Sequence, residues 1–400
     1  MLARKLSDKS DFEGSLGVRT WIELDAGACR HNVKTFRRLV GPKVKLWAVV
    51  KSNAYGHGLS TFSKIIDSTD IDPVRSRARA QARPRGVYWR ATSNGVDGFC
   101  VDSILEGLRL RKDGIKKPIL VLGFTLPAFF EKAASNDIAV TISNFDSLRA
   151  FERTKRKPFF HLKIDTGMHR QGFQEEEMPN LVDFLKRWKL RPKGAYSHLA
   201  FPEDKKSSLN QKQVFERCLK FFNRAGIRLK WIHLSGTGGV CEKMPLYNMV
   251  RVGFGLYGYF RRPFRNKFLR PVMKWKTVVT EVKRVKKGEG VGYDFTERLK
   301  RDSTIAILPV GYWHGFDRGL SSIGEVLIRG HRARVIGRVS MDMITIDVTD
   351  IGGVRIRDEA TLIGRQGKEF VGADEMAEKI DTSPYEVLTR VNPLIQKIVV

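Results

Sequence analysis

Eight short apolar runs between residues 45 and 253, most of them followed by a stretch able to hold a helix, constrain this chain more than any other feature. They lie near 45 to 50, 98 to 102, 119 to 122, 138 to 142, 159 to 164, 194 to 198, 231 to 234 and 249 to 253. Short, continuously apolar runs predict strands buried on both faces, the habit of parallel sheets. The gaps hold stretches such as Ser103 to Lys112, Pro127 to Ser135, Phe145 to Thr154, Glu177 to Trp188 and Asn210 to Ala225. This βα alternation predicts an α/β fold built on a (β/α)8 barrel, with a doubly wound open sheet as the competing layout. The polar residues decide for the barrel. Lys51, Asp165 with Arg170, His198, Ser235 and Arg251 fall at or just after the ends of predicted strands one, five, six, seven and eight. In a barrel those ends converge on one mouth.

The chain before and after the barrel reads differently. Residues 1–18, rich in Ser, Asp, Lys and Gly, predict a flexible leader. Arg19 to Leu24 predicts a strand and Asp25 to Val40 a helix, so the barrel domain is taken as 19–263. From about Phe264 the texture changes to Val-, Ile- and Thr-rich runs with glycine turns: 276–285, 304–310, 324–328, 333–339, 344–348 and 360–363. That pattern predicts a second, mostly β domain over 264–400, closing on helices at 373–380 and 384–390. One stretch, 72–95, holds six arginines and no lysine and departs from its lysine-rich surroundings. It reads as an inserted, disordered surface loop, an RNA-binding arm being the alternative.

Composition excludes several classes. No apolar run reaches membrane-span length and the basic N-terminus lacks a signal-peptide core, so a cytoplasmic protein with no membrane partner is expected. Four scattered cysteines with no CxxC pair suggest neither a zinc site nor a disulfide framework, and no metal is expected. The net charge of +29 invites a nucleic-acid reading, but the basic residues are scattered and carry no RNA- or DNA-binding signature. A generally basic surface, without a specific nucleic-acid partner, is the expectation.

The chemistry concentrates where the first apolar run ends. Leu46-Trp-Ala-Val-Val50 stops on Lys51, followed by Ser-Asn-Ala-Tyr55-Gly-His-Gly58, which crowds donors and flexible backbone beside one amine. An activated lysine and an anion pocket need such a setting. Lys51 to Gly58 resembles the pyridoxal-phosphate lysine motif of bacterial alanine racemases, and the likeness recurs from about Arg19 to Val400. The resemblance implies that Lys51 forms the Schiff base with pyridoxal phosphate and serves as one of two catalytic bases. Tyr293, in Gly290-Val-Gly-Tyr-Asp-Phe295, matches the second, lent by a partner subunit, which implies a homodimer with shared active sites.

Further matches imply further roles. Arg251, in Met249-Val-Arg-Val-Gly-Phe254, corresponds to the arginine against the pyridine nitrogen, and His198 to the histidine supporting it. Ser235, Gly253 and Phe254 match the phosphate cup, with Tyr55 and Tyr385 completing it. Here His233-Leu-Ser-Gly236 departs from the family's usual Ala-Asn-Ser, so a neighbouring amide contact is in question. In Phe160-His-Leu-Lys-Ile-Asp-Thr-Gly-Met-His-Arg170, Arg170 matches the ligand of the substrate carboxylate and Lys163 a lysine that several relatives carry as a carbamate. Met341 matches a partner-subunit residue whose backbone meets that carboxylate, and Tyr312 an entrance tyrosine. The implied activity is racemisation of L- and D-alanine, supplying D-alanine for peptidoglycan. Racemisation of another or several amino acids, such as serine or lysine, and non-catalytic binding of pyridoxal phosphate are the alternatives.

Overall fold

A computed structural model of the 400-residue chain describes residues 18–67, 95–260 and 268–400. The expected leader and the arginine-rich insertion, but for Val18 and Gly95, lie outside the described residues. The chain divides into two compact units. One comprises Ala28–Ala54 and Leu59–Arg270, the other the described part of Met1–Gly27 with Tyr55–Gly58 and Pro271–Val400.

Strand β1, Thr20–Leu24, precedes the barrel strands, which are β2 (Lys45–Val49), β3 (Gly98–Val101), β4 (Ile119–Val121), β5 (Ile138–Ile142), β6 (Phe160–Lys163), β7 (Gly194–Tyr196), β8 (Trp231–His233) and β9 (Met249–Val252). The eight pair in chain order, all parallel, and β2 closes the ring on β9. The (β/α)8 barrel expected from the apolar runs is therefore present. Most strand residues are buried, as two-sided burial requires. The helices that follow carry the start signals their sequences promise. Ser103 Oγ accepts the Glu106 N–H at 3.3 Å, and Asn144 Oδ1 the Ser147 N–H at 2.8 Å. Behind the start of β2, Asp97 is held by Arg37 at 2.5 Å and Lys45 at 2.9 Å and accepts the Leu46 N–H at 2.8 Å, which fixes the strand that delivers Lys51.

The second unit is mostly β. β1 pairs antiparallel with β10 (Met273–Val278) and parallel with Gln396–Val399. Thus the N-terminal strand, grouped with the barrel when the boundary is drawn at 263, is hydrogen-bonded into the other unit's sheet. A separate three-stranded sheet joins Glu281–Val285, Ser303–Leu308 and Ile344–Asp347. The run 276–285, expected as one strand, is two. Val279 N–H bonds to Asp358 O and Thr280 N–H to Ile307 O, so the chain changes sheets between adjacent residues. Helices Ala373–Lys379 and Pro384–Thr389 close the unit, the second with proline in its first turn. Among the described residues no helix is long and apolar enough to cross a membrane, and no cluster of His, Cys, Asp or Glu could hold a metal ion.

Candidate active site

In the barrel unit, chemistry-bearing side chains stand at or beyond the carboxyl ends of the strands. Val50 extends the β2 ladder through its N–H to Cys100 O, and Lys51 follows, half-buried, with Nζ 3.6 Å from Asp102 Oδ1 beyond β3. Beyond β6, Asp165 Oδ1 accepts the N–H groups of Gly167, Met168 and His169 at 3.0 to 3.1 Å. Burial works to raise that carboxyl, but the three backbone donors outweigh it and hold Asp165 below the usual range. The loop so folded carries Arg170 on its exposed side, with no ion pair among the described residues.

Lys163 is buried, its Nζ 4.5 Å above the Tyr196 ring. Burial first, then the charges of Arg251 and Arg170, bring it well below the usual lysine range, which favours a neutral amine.

Arg251 is buried at 4% exposure and has no acid partner among the described residues. One guanidinium nitrogen meets His233 Nδ1. The other donates to Ser197 O at 2.7 Å and Leu234 O at 3.2 Å, and lies 3.4 Å from His198 Nδ1. A guanidinium only donates, so His233 Nδ1 accepts and its proton sits on Nε2. Nε2 lies 2.9 Å from His161 Nδ1, which accepts in turn. One buried arginine thereby fixes the tautomers of two imidazoles in series. Burial and Arg251 keep both neutral, with His161 brought down to about 3. Gly194 makes room for this pair: a Cβ there would stand 2.9 Å from the His161 ring and 2.4 Å from Trp231 O.

His198 shows how these groups gather. Burial, then the charges of Arg251, Lys163, Arg170 and Lys51, hold it well below the ordinary imidazole range. Basic groups from three strand ends and the loop beyond β6 thus act on one ring.

The hydroxyl expected to bind phosphate is placed otherwise. Ser235 is fully buried and its Oγ donates to Pro245 O at 3.0 Å, because residue 235 faces inward against Gly239. Thr237, two residues on and half-buried, is the hydroxyl beside the glycine-rich end of β9: its Oγ1 accepts from the Gly253 and Gly255 N–H groups at 3.2 and 3.3 Å. Phe254 is buried between those two glycines. The sequence signal for Thr237 is a hydroxyl immediately after Gly236 in a Gly-Thr-Gly-Gly run.

In the second unit, the Tyr55 and Tyr385 rings lie 5.9 Å apart. Tyr312 and Met341 are brought together by backbone bonds, Tyr312 N–H to Ser340 O and Trp313 N–H to Met341 O, each 3.0 Å. Gly311 permits that approach, since a Cβ there would meet Ser340 O at 2.2 Å. Tyr293 lies on the turn between Gly290–Val291 and Glu297–Arg298, 71% exposed, and Arg338 Nε, three residues before Met341, holds that turn through Asp294 Oδ2 at 2.8 Å.

Known proteins match this arrangement over nearly its whole length. The family model described as "Alanine racemase, N-terminal domain" matches residues 24–74 and 80–261, and "Alanine racemase, C-terminal domain" matches 272–399. The alanine racemase of Methylacidiphilum infernorum is 32% identical over 384 residues, covering 95% of this chain and 92% of the relative. Among solved structures, the alanine racemase from Bacillus anthracis with bound L-Ala-P superposes with a TM-score of 0.83 at 30% identity, covering 96% of this chain and 95% of that one. The alanine racemase from Bartonella henselae with covalently bound pyridoxal phosphate has a TM-score of 0.80 over 96% of this chain and 99% of its own, and at 24% identity is a likeness of fold. A closed eight-stranded barrel whose strand ends collect lysines and arginines, joined to a β-rich unit and matched in both halves, places this chain in the alanine racemase family.

Proposed function

We propose that the protein interconverts L- and D-alanine with pyridoxal phosphate by a two-base mechanism, Lys51 on one face of the reacting carbon and Tyr293 of the partner subunit on the other. The observation that carries this reading is the placement of Lys51, Arg170 and Arg251 at or beyond the ends of β2, β6 and β9, with neither arginine paired to an acid among the described residues, a positive charge that suits a phosphorylated cofactor and a carboxylate substrate. The residues present fit pyridoxal phosphate. Lys51 would hold its aldehyde end, and Arg251, a permanent donor braced by His198, His233 and two carbonyls, its ring nitrogen. Thr237, in place of Ser235, would hold the phosphate with the backbone of Gly253 and Phe254, and the family resemblance assigns the phenols of Tyr55 and Tyr385 to phosphate binding as well. Bound there, pyridoxal phosphate supplies the electron sink that makes an amino acid's α-proton removable at neutral pH.

The chain's own groups do the rest. Arg170 binds the substrate carboxylate through its forked donors. Lys163, favoured as a free amine, adds carbon dioxide through a new N–C bond and releases one N–H proton to solvent, giving a carbamate whose negative charge positions Arg170. Tyr312 guards the entrance, and the backbone at Met341 of the partner subunit meets the carboxylate. In this reading residues 19–263 hold the cofactor and 264–400 lend Tyr293 and Met341 to a second copy, so the working form is a homodimer. We place it in the cytoplasm, supplying D-alanine for peptidoglycan, with no specific nucleic-acid partner.

The test is direct. Cofactor-saturated protein incubated with L-alanine yields D-alanine, and Lys51→Ala yields none. A loaded, dimeric sample that forms no D-alanine overturns the reading. Faster turnover of L-serine or L-lysine in parallel reactions would reassign the substrate.

A further inference from the structure

We propose that Glu106 is a positioning residue that sets where Lys51 presents its amine, an inference that rests on Lys51 being the cofactor lysine. The backbone immediately after Lys51 is unusual. Ser52, Asn53, Ala54 and Tyr55 all have φ between 51° and 55°, four consecutive non-glycine residues in the left-handed region. Crowding of Cβ against the backbone disfavours that conformation at every L-residue, so such a turn persists only where neighbouring groups dictate it.

Glu106 supplies that constraint. Its Oε1 accepts the Asn53 N–H at 3.1 Å and its Oε2 the Asp102 N–H at 2.9 Å. One carboxylate therefore bridges the turn beyond β2 to the end of β3. The second amide it holds belongs to Asp102, whose own carboxylate lies 3.6 Å from Lys51 Nζ. On the far side of the turn, Asn53 Oδ1 accepts the Leu59 N–H at 2.9 Å.

Ordinary helix capping does not account for this arrangement. Ser103 and Glu106 have the spacing of a capping box, in which the glutamate returns to the Ncap N–H. Here Ser103 Oγ does accept the Glu106 N–H, while the Glu106 carboxylate reaches past its own Ncap to Asp102 and Asn53. It serves the lysine turn and the lysine's counterion together.

Glu106→Gln keeps size and shape but offers one acceptor where two are needed. In cofactor-free protein, amide hydrogen exchange across residues 51–58 should rise about tenfold or more, as expected for losing a charge-assisted bond. In protein given limiting pyridoxal phosphate and then borohydride, label captured on Lys51, counted by peptide mass spectrometry, should fall several-fold. Turnover of L-alanine should lose kcat while KM stays within about twofold. Adding Ser52→Gly, which adopts a positive φ without a Cβ clash, should restore at least half of the capture. A role in packing alone would not be rescued by that glycine.

Exchange and capture at wild-type levels in Glu106→Gln, or no rescue by Ser52→Gly, overturns the proposal. Wild-type protein that captures nothing at Lys51 overturns the reading beneath it as well, and so separates the two failures. If Glu106→Gln does not accumulate as folded protein, Glu106→Asp, too short to reach both amides, carries the same readouts and the same expectations.

Discussion

Replacing His161 by asparagine separates the buried imidazole's charge from its hydrogen bond. In the wild type, burial and then Arg251 bring His161 from 6.5 to about 3 in the folded state. The unfolded chain is then one proton richer than the folded one between about pH 4 and 5.5, so stability rises with pH across that window. The stability tied to this residue is complete above 6.5 and drains as pH falls toward 3, at about 1.4 kcal/mol for each pH unit. Asparagine can still accept from His233 Nε2 through Oδ1 but does not titrate. At pH 7.5 His161→Asn should cost roughly 1 kcal/mol, the value of a perturbed buried hydrogen bond. Between pH 5.5 and 4 its stability curve should be shallower than the wild type's by about 1.4 kcal/mol per pH unit. Urea titrations of cofactor-free protein at half-unit pH steps, followed by tryptophan fluorescence, give both slopes. Parallel curves would refute a neutral His161 locked through His233 to Arg251.

Three further outcomes follow from particular contacts. Thr237→Val should weaken retention of pyridoxal phosphate on dialysis about tenfold while Ser235→Ala leaves it nearly unchanged, since only the Thr237 hydroxyl lies at the glycine-rich end of β9. The reverse order would restore Ser235 to the phosphate. Gly194→Ala should lower the thermal midpoint markedly, a cost of about 2 kcal/mol or more, because its methyl meets the Trp231 carbonyl and the His161 ring. An unchanged midpoint would mean that the strand shifts freely. Arg170→Lys should raise KM for L-alanine about tenfold to a hundredfold with a smaller change in kcat, as loss of a forked carboxylate contact predicts. A fall in kcat alone would assign Arg170 to the chemical step.

The barrel is legible because its strands are short apolar runs, most of them broken by a polar residue at or just past the strand end. Leu46 to Val50 places Lys51 just past a strand end, and Met249 to Val252 contains Arg251. Features made by distant pairs are not legible in the same way. His161 and His233 are 72 residues apart and meet only when β6, β7 and β8 lie side by side. Ser235 looks like the phosphate hydroxyl until the inward direction of residue 235 is known, and the carboxylate of Glu106 reads as a capping partner. In the second unit the apolar runs appear in the sequence, but the change of sheet at Val279 and Thr280 depends on partners at Asp358 and Ile307. The destination of β1, paired with residues 273–277 and 396–399, is likewise set by strands that follow it far down the chain.

The most direct test of two bases drawn from two chains is to mix them. Lys51→Ala and Tyr293→Phe, each inactive alone, should recover about a quarter of wild-type racemisation when unfolded and reassembled in equal amounts, because half of the dimers then contain one intact site. Activity no greater than the sum of the two parents, with mixed dimers shown to have formed, would contradict a shared site and return both bases to a single chain.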